Sequence, residues 1–267
     1  MKRKFSSAHY DYLKRYHTKK AFIIITQILI LIAFLLSWEL LTKYEIISSF
    51  FFSSPTKIAN TIKELYNNGE LFYHSAITLR ETLIGFAIAT GIGFLVAFVL
   101  WYSDFLRRVV EPYIVVLNSL PKIALGPIII IWFGAGSEAI IFMCILIVII
   151  VTILNIMNSF LSCDKQLIAV AKSLGANKMQ IFFKLVLPNS VKDIVSALKI
   201  NVGLSWIGSI MGEYMVSKAG LGYLLKYGGQ VFNLNLVMTS TVILCVLASL
   251  MYFIVALFEK LINKIYK

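Results

Sequence analysis

Few residues in this sequence have the types and spacing that covalent or metal chemistry requires. Three cysteines and three histidines are scattered along 267 residues, at Cys144, Cys163, Cys245, His9, His17 and His74. Their spacing matches neither a zinc site nor a disulfide framework. The Gly-x4-Gly-Lys-Ser/Thr pattern of a phosphate-binding loop is also absent. We therefore predict a chain with no metal, no cofactor and no catalytic residue, which is not itself an enzyme.

A different signal lies in residues 164–190, with the sequence DKQLIAVAKSLGANKMQIFFKLVLPNS. Asp164 can cap a helix, and Gly175 can end it because glycine reaches left-handed backbone angles without strain. Apolar residues recur on one face of this first helix at helical spacing, namely Leu167, Val170, Ala171 and Leu174. The pattern predicts a short amphipathic helix followed by a sharp turn.

The same segment predicts a second helix. Asn177 can cap it, and an apolar stripe follows at Met179, Phe182, Phe183 and Val186. We expect Pro188 to end this helix, and Asn189 and Ser190 to cap the next one. Five lysines flank the two helices. Periodicity leaves two uses open: the helices lie on a lipid surface, or the first one inserts into a groove on a partner protein.

The elements that carry these residues belong to a membrane protein. Apolar residues make up 59% of the chain and the mean hydropathy is +0.84. A membrane span needs about 20 apolar residues to cross a hydrocarbon core of about 30 Å. Six segments meet or approach this requirement, at residues 21–41, 83–102, 109–133, 139–160, 190–213 and 231–258. We therefore predict an all-α membrane protein with six spans.

The positive charges predict how the spans are oriented. With both termini inside the cell, cytoplasmic segments hold seventeen Lys and Arg residues and outer segments hold five. This asymmetry accounts for the net charge of +12 without nucleic acid as a partner. Residues 1–20 read as a basic cytoplasmic segment before a retained first span. Residues 21–267 then form one transmembrane domain in the bilayer, with a cytoplasmic loop at 162–189.

Two segments are candidates for a solute pathway or for helix packing. In the third span, Asn118, Pro121 and Lys122 lie where prolines interrupt the helix, which predicts a kinked helix facing the interior. Lys122 either lines the pathway or snorkels to the interface. In the fifth span, a narrow face of small residues leads to an acidic residue, at Ser205, Gly208, Ser209, Gly212 and Glu213. Such a face favours close helix contact and is a candidate interface between two copies.

The loop resembles the EAA loop of binding-protein-dependent ABC importer permeases, roughly EAA-x3-G-x9-I-x-LP. The matching positions here are Ala169-Val170-Ala171, Gly175, Leu185 and Leu187-Pro188. Ala169 replaces the usual glutamate, Val170 the second alanine and Leu185 the isoleucine. The segments EPYIVVLNSLPKIALGPIIIIWFGAGSEA and MGEYMVSKAGLGYLL add to the likeness, which extends over about residues 30–258. The permeases it is similar to carry sulfonates, taurine or nitrate, and riboflavin and thiamine-precursor permeases share the pattern.

This resemblance implies a type I importer bundle in the bacterial cytoplasmic membrane. It implies a permease homodimer, a separate ATPase subunit and an extracytoplasmic substrate-binding protein. The ATPase would dock on the loop, at Ala169, Ala171, Leu174, Gly175, Ala176, Leu187 and Pro188. The expected substrate is a small anion such as an aliphatic sulfonate. A thiamine precursor or riboflavin is the alternative, and a membrane scaffold that recruits a cytoplasmic partner is an alternative of another class.

Overall fold

A computed structural model describes residues 7–265, and its regular structure over that range is helical. Residues 1–6 of the predicted basic segment and the last two residues lie outside this range. The helices are, in chain order, α1 Ser7–Lys43, α2 Ser49–Phe52, α3 Pro55–Asn67, α4 Glu70–Tyr102, α5 Asp104–Ser119, α6 Gly126–Phe133, α7 Ser137–Leu161, α8 Lys165–Ser173, α9 Lys178–Ile181, α10 Leu187–Val216, α11 Leu221–Gln230 and α12 Leu234–Ile265. A 3₁₀ turn, Lys122–Leu125, precedes α6, and a π-helical turn, Phe182–Val186, joins α9 to α10.

Five helical segments are long and apolar enough to cross a membrane, and a broken pair makes the sixth. The five are Thr18–Lys43, Glu70–Tyr102, Ser137–Leu161, Lys178–Val216 and Leu234–Ile262. The predicted all-α bundle of six spans is therefore confirmed. Residues 7–20 are helical and run without a break into the first span. This span lies at the periphery, where it contacts α2 and α3.

The third predicted span is bent far more than a kink. Asp104–Ser119 and Lys122–Phe133 meet at 85°, with Pro121 at the break. Pro127 falls in the first turn of α6, where its missing N–H is not needed. Within the single chain most of this segment is exposed, since only Ile114, Gly126 and Ile129 are buried among residues 104–133. Its orientation toward an interior stays a prediction. After an 85° bend, only short stretches of each half can reach the bundle.

The core is a three-helix unit in which α7 packs between α4 and α10. Small residues face α7 from both sides. A Cβ built on Gly208 of α10 would lie 2.6 Å from the Cα of Cys144, and one on Gly93 of α4 would lie 2.8 Å from the Cβ of Thr152. Real Cβ atoms do not approach other atoms this closely, so the helices can adopt these distances only because glycine has no side chain.

The small-residue face of the fifth span is therefore an internal packing surface. Ser205, Gly208, Ser209 and Gly212 are all buried inside the single chain. The expectation that this face joins two copies is wrong. The face is already covered by α4 and α7, whose own small residues allow the approach.

Buried polar bonds tie the three helices together. The Thr82 and Ser209 hydroxyls are 2.6 Å apart, which links α4 to α10. The Asn201 amide on α10 donates to the Thr152 hydroxyl on α7 at 2.9 Å and to the Thr90 hydroxyl on α4 at 3.2 Å. In an apolar surrounding such groups need partners, so these bonds fix the register of the helices.

We predict that Gly208→Ala destabilises the bundle and Gly203→Ala does not. The new methyl group at 208 meets the α7 backbone, and overpacking of this kind costs about 1–3 kcal/mol. Gly203 lies on the same helix with open space around it, so alanine there should be neutral or stabilising by up to about 1 kcal/mol. Thermal melting of the two purified variants in one detergent tests this. Equal melting temperatures would contradict the packing described here.

Candidate functional site

The patterned loop forms a compact unit of two helices at one end of the bundle, here called the α8 unit (residues 164–187). The Asp164 carboxylate accepts a hydrogen bond from the Gln166 N–H at 2.8 Å and so caps α8. At the other end, Ala176 N–H donates to Ala171 O and Gly175 N–H to Lys172 O. Gly175 has a φ of +80°. This is a Schellman ending, and the predicted helix and its glycine stop are confirmed.

A reciprocal cap begins the second helix. The Gln180 N–H donates to the Asn177 side chain at 2.8 Å, and the Gln180 side chain accepts from the Asn177 N–H at 2.9 Å. Asn177 is thus the cap that its position predicts. The partner role of Gln180 was not predicted, although the Asn-x-x-Gln spacing of a capping box was present in the sequence.

Pro188 does not end the second helix, so that prediction is wrong. The helix passes through the π-helical turn and continues to Val216. Within that turn, Leu187 N–H donates to Phe182 O, five residues back. A π turn is wider than an α turn, and this is how the chain accommodates a proline ring that would clash in a regular helix. Ser190 does not cap a new helix, since its hydroxyl donates to Ser159 O of α7 at 3.0 Å.

One aromatic side chain anchors the α8 unit to the core. Phe182 is only 2% exposed, and its ring lies 4.6 Å from that of Phe98, 5.0 Å from Trp101 and 5.2 Å from Phe160. These neighbours belong to α4 and α7. In addition, the Lys178 ammonium lies 5.1 Å from the Tyr102 ring centroid. The unit is therefore held against two spans and is continuous with a third.

The outer surface of the unit is apolar and uncovered. We call Leu167, Val170 and Leu174 the α8 ridge; their exposed fractions are 54%, 58% and 82%. Ile168 and Ala171 point the other way and pack on the core cluster around Phe182. Ala171 therefore belongs to the inner side of α8, although the sequence pattern grouped it with the ridge.

Four of the predicted loop residues line one groove behind the ridge. This groove has a volume of about 430 Å³ and is bordered by Ala171, Leu174, Gly175 and Ala176. Ala169 is exposed on α8, outside the groove. Leu187 and Pro188 are half-buried at the start of α10. Four of the predicted docking residues therefore lie together at the groove. The last two, Leu187 and Pro188, lie at the start of α10.

The pathway candidates fall into two separate groups. Asn118, Pro121 and Lys122 surround the 85° break, where the Lys122 ammonium donates to Asn118 O at 3.1 Å. The other group lies along α10, and its last member, Glu213, is completely buried and accepts from the Gly222 N–H at 2.6 Å. Within residues 7–265, no three His, Cys, Asp or Glu side chains are grouped as a metal site would require.

One charged residue in a span has a partner that sequence reasoning missed. Lys199 of α10 forms an ion pair with Glu259 of α12. Both side chains are about a quarter exposed. The signal was a lysine within an apolar stretch of α10 and an acidic residue toward the end of α12. Only the tertiary contact shows that the two face each other.

Comparison with known proteins assigns this architecture. A family model described as the inner membrane component of binding-protein-dependent transport systems matches residues 89–264. This chain belongs to that family. The matched range begins in α4, includes the α8 unit and ends in α12. The protein is therefore a permease component of an ABC importer, a multi-pass membrane protein and a transport subunit.

Relatives and solved structures agree with the assignment. An aliphatic sulfonates transport permease of Bacillus subtilis is 27% identical over 85% of this chain and 82% of its own length. A formylaminopyrimidine transport permease of Halalkalibacterium halodurans is 28% identical over 63% of this chain and 68% of its own length. The inward-facing MetNI methionine ABC transporter superposes on 70% of this permease and 93% of the solved chain, with a TM-score of 0.62 at 24% identity. That last likeness concerns the fold alone.

We predict that the turn of the α8 unit requires residue 175 to adopt left-handed angles. Gly175→Val should loosen the turn, because left-handed angles cost a residue with a Cβ roughly 1–2 kcal/mol. Gly175→Asn is the matched control, since asparagine tolerates these angles. Limited trypsin cleavage at the flanking Lys172 and Lys178 measures the effect. Faster cleavage is expected for the valine variant alone, and equal rates in all three proteins would contradict the role given to Gly175.

Proposed function

We propose that this permease imports a small solute and that the α8 ridge is where a separate ATPase subunit docks. In this proposal the α8 unit and both termini lie in the cytoplasm, and ATP is hydrolysed on the partner chain. Two copies of the permease form the translocation unit in the bilayer and receive a substrate-binding protein on the outer side. Family membership and the EAA-like spacing support this arrangement.

The observation that carries the docking role is the exposure of the ridge on a fixed support. A nine-residue helix is marginal alone, yet here both of its ends are capped and its inner face is packed. Burying one leucine side chain contributes about 1.5–3 kcal/mol, so three exposed aliphatic residues are a substantial binding surface. An ordered apolar helix presented in this way fits a groove on a partner protein.

Coupling follows from the continuity between the docking surface and the spans. A partner that moves the ridge also moves Phe182, which packs against α4 and α7. It moves α10 as well, because the helix continues through the π turn. Opening and closing of the ATPase pair is thereby converted into rearrangement of three spans.

For the substrate we propose an organic or inorganic anion such as an aliphatic sulfonate. The named relatives support this class, since they include the Bacillus subtilis sulfonate permease and a taurine permease of Escherichia coli. A thiamine precursor or riboflavin is the second candidate, favoured by the formylaminopyrimidine permease and by a riboflavin permease of Chloroflexus aurantiacus.

We predict that Leu174→Asp uncouples the permease from its ATPase. A carboxylate at a residue with 82% exposure should leave the fold intact but cannot be buried in an apolar groove. ATPase recovered with the tagged permease should fall at least tenfold, and ATP-driven uptake should be lost. Leu174→Met keeps the apolar surface and should retain both. Wild-type recovery and uptake in the aspartate variant would overturn the docking role, and the absence of any ATPase with the wild type would favour a scaffold.

The substrate is tested through the binding protein that co-purifies with the permease. We expect its melting temperature to rise with aliphatic sulfonates, taurine or nitrate, because ligands stabilise the state that binds them. A rise with formylaminopyrimidine or riboflavin alone would overturn the anion proposal and leave the importer assignment standing.

A further inference from the structure

At the end of the bundle opposite the α8 unit, three side chains hold three consecutive backbone amides. Gly220 N–H donates to His74 Nδ1 at 2.9 Å, Leu221 N–H to Thr78 Oγ1 at 2.8 Å, and Gly222 N–H to Glu213 Oε2 at 2.6 Å. These amides begin α11, where helix geometry leaves N–H groups without partners. His74 and Thr78 belong to α4, so the turn 217–222 is fastened to two spans.

The turn contacts Glu213 so closely that residues 220 and 222 must be glycine. Gly220 has a φ of +106°, and a Cβ added there would overlap the Glu213 carboxyl group. A Cβ on Gly222 would lie 2.7 Å from the Cβ of Glu213 and 2.8 Å from Ile210 O. The carboxyl group of Glu213 is therefore enclosed by backbone and excluded from water.

A second carboxyl group faces the first. Glu81 of α4 is 2% exposed and Glu213 is 0% exposed. Glu81 lies between Thr78 and Thr82, whose hydroxyls contact the Leu221 N–H and the Ser209 hydroxyl. Glu213 follows Ser209 by about one helical turn, so the two carboxyl groups occupy the same layer between α4 and α10. One buried oxygen of each, Glu81 Oε2 and Glu213 Oε1, has no hydrogen-bond donor among the described residues. Ionised carboxylates only accept hydrogen bonds, so two of them could not satisfy each other and would repel strongly in a low-dielectric site.

Among the described residues, neither carboxyl group forms an ion pair with a basic side chain. The Nδ1 atom of His74 accepts a hydrogen bond and so carries no proton, which makes this imidazole neutral. Arg80, Glu138 and Lys218 border the cavity beside Glu81 and are exposed. Lys226 of α11 is half-buried, and its ammonium donates to Met215 O at 3.0 Å. An exposed cation keeps its hydration and cannot enter the space between the two carboxyl groups.

From this geometry we infer that Glu81 and Glu213 form a proton-binding site in which one shared proton locks the turn 217–222 onto α4. The protonated carboxyl group donates to the ionised one, and both orphaned oxygens gain a partner. An ionised carboxylate oxygen also accepts the hydrogen bond from Gly222 N–H more strongly than a neutral carboxyl oxygen does. Ser217 and Lys218 of this turn, together with Glu81, border a cavity of about 590 Å³. The lock therefore fixes one wall of that cavity, whatever solute the permease carries.

The proton is tested by infrared spectroscopy of the purified full chain at neutral pH, comparing Glu81→Gln and Glu213→Gln with the wild type. A protonated carboxyl group absorbs apart from ionised carboxylates. We expect one such band per chain in the wild type and its complete loss in either variant, because the amide takes over the donor role and the remaining carboxylate ionises. Absence of the band in the wild type would overturn the inference. A band that keeps half of the wild-type intensity in each variant would also overturn the inference, because each glutamate would then carry its own proton.

The lock is tested by thiol labelling of Ala219→Cys in a Cys245→Ser background, since the other two cysteines are buried. Glu213→Ala should increase the labelling rate about tenfold or more, as expected when a hydrogen bond to a charged group is lost. Glu213→Gln should label within about twofold of the parent, because its carbonyl still accepts from Gly222. Glu138→Ala, an exposed carboxylate at the same cavity, is the matched control. Equal rates for the alanine and parent proteins would show that the pair does not lock the turn.

Discussion

The approach of α7 to both α4 and α10 is the contact on which the rest of this structure depends. Lipid tails are as apolar as leucine, so the hydrophobic effect does not drive spans together, and close van der Waals contact with interhelical hydrogen bonds must do so. Glycine at 93 and 208 brings backbones within that range. Thr82, Ser209 and Asn201 can reach their partners across the interfaces only because the helices are this close.

One helical segment extends from this core to both ends of the bundle. The continuous segment Lys178–Val216 has 39 residues, which at 1.5 Å per residue is roughly 58 Å of helix. It begins within the α8 unit and ends beside the turn that Glu213 holds. In the proposed docking role, a displacement of the ridge would pass through the turn at Gly175 to this helix, which reaches the far end of the bundle. The π turn is the one interruption, and such turns are frequent at functional sites.

Polar groups in the spans are satisfied in three different ways. Lys199 pairs with Glu259 on a neighbouring helix, whereas Asn201 donates to two hydroxyls in the core. Glu81 and Glu213 meet at the end of the bundle, where a shared proton completes their hydrogen bonds. Lys122 differs from all of these, because it bonds to a carbonyl of the preceding turn and stays partly exposed.

The sequence by itself determined the elements whose causes are local. Apolar runs of sufficient length specify spans, and the caps at Asp164 and Asn177 and the stop at Gly175 depend on side-chain and backbone preferences within a few residues. The spacing of the loop also indicates the family.

What only the tertiary structure decided depends on contacts between distant segments. Pro188 appeared to stop a helix, but a π turn held by the packing of Phe182 carries the helix through it. The small-residue face of the fifth span could serve a partner copy or the same chain, and only the positions of α4 and α7 show which. Glu213 was visible as an isolated acid, while its partner Glu81 lies 132 positions earlier in the chain. Sequence patterns reflect residues that are close along the chain. These three outcomes depended instead on contacts with another helix.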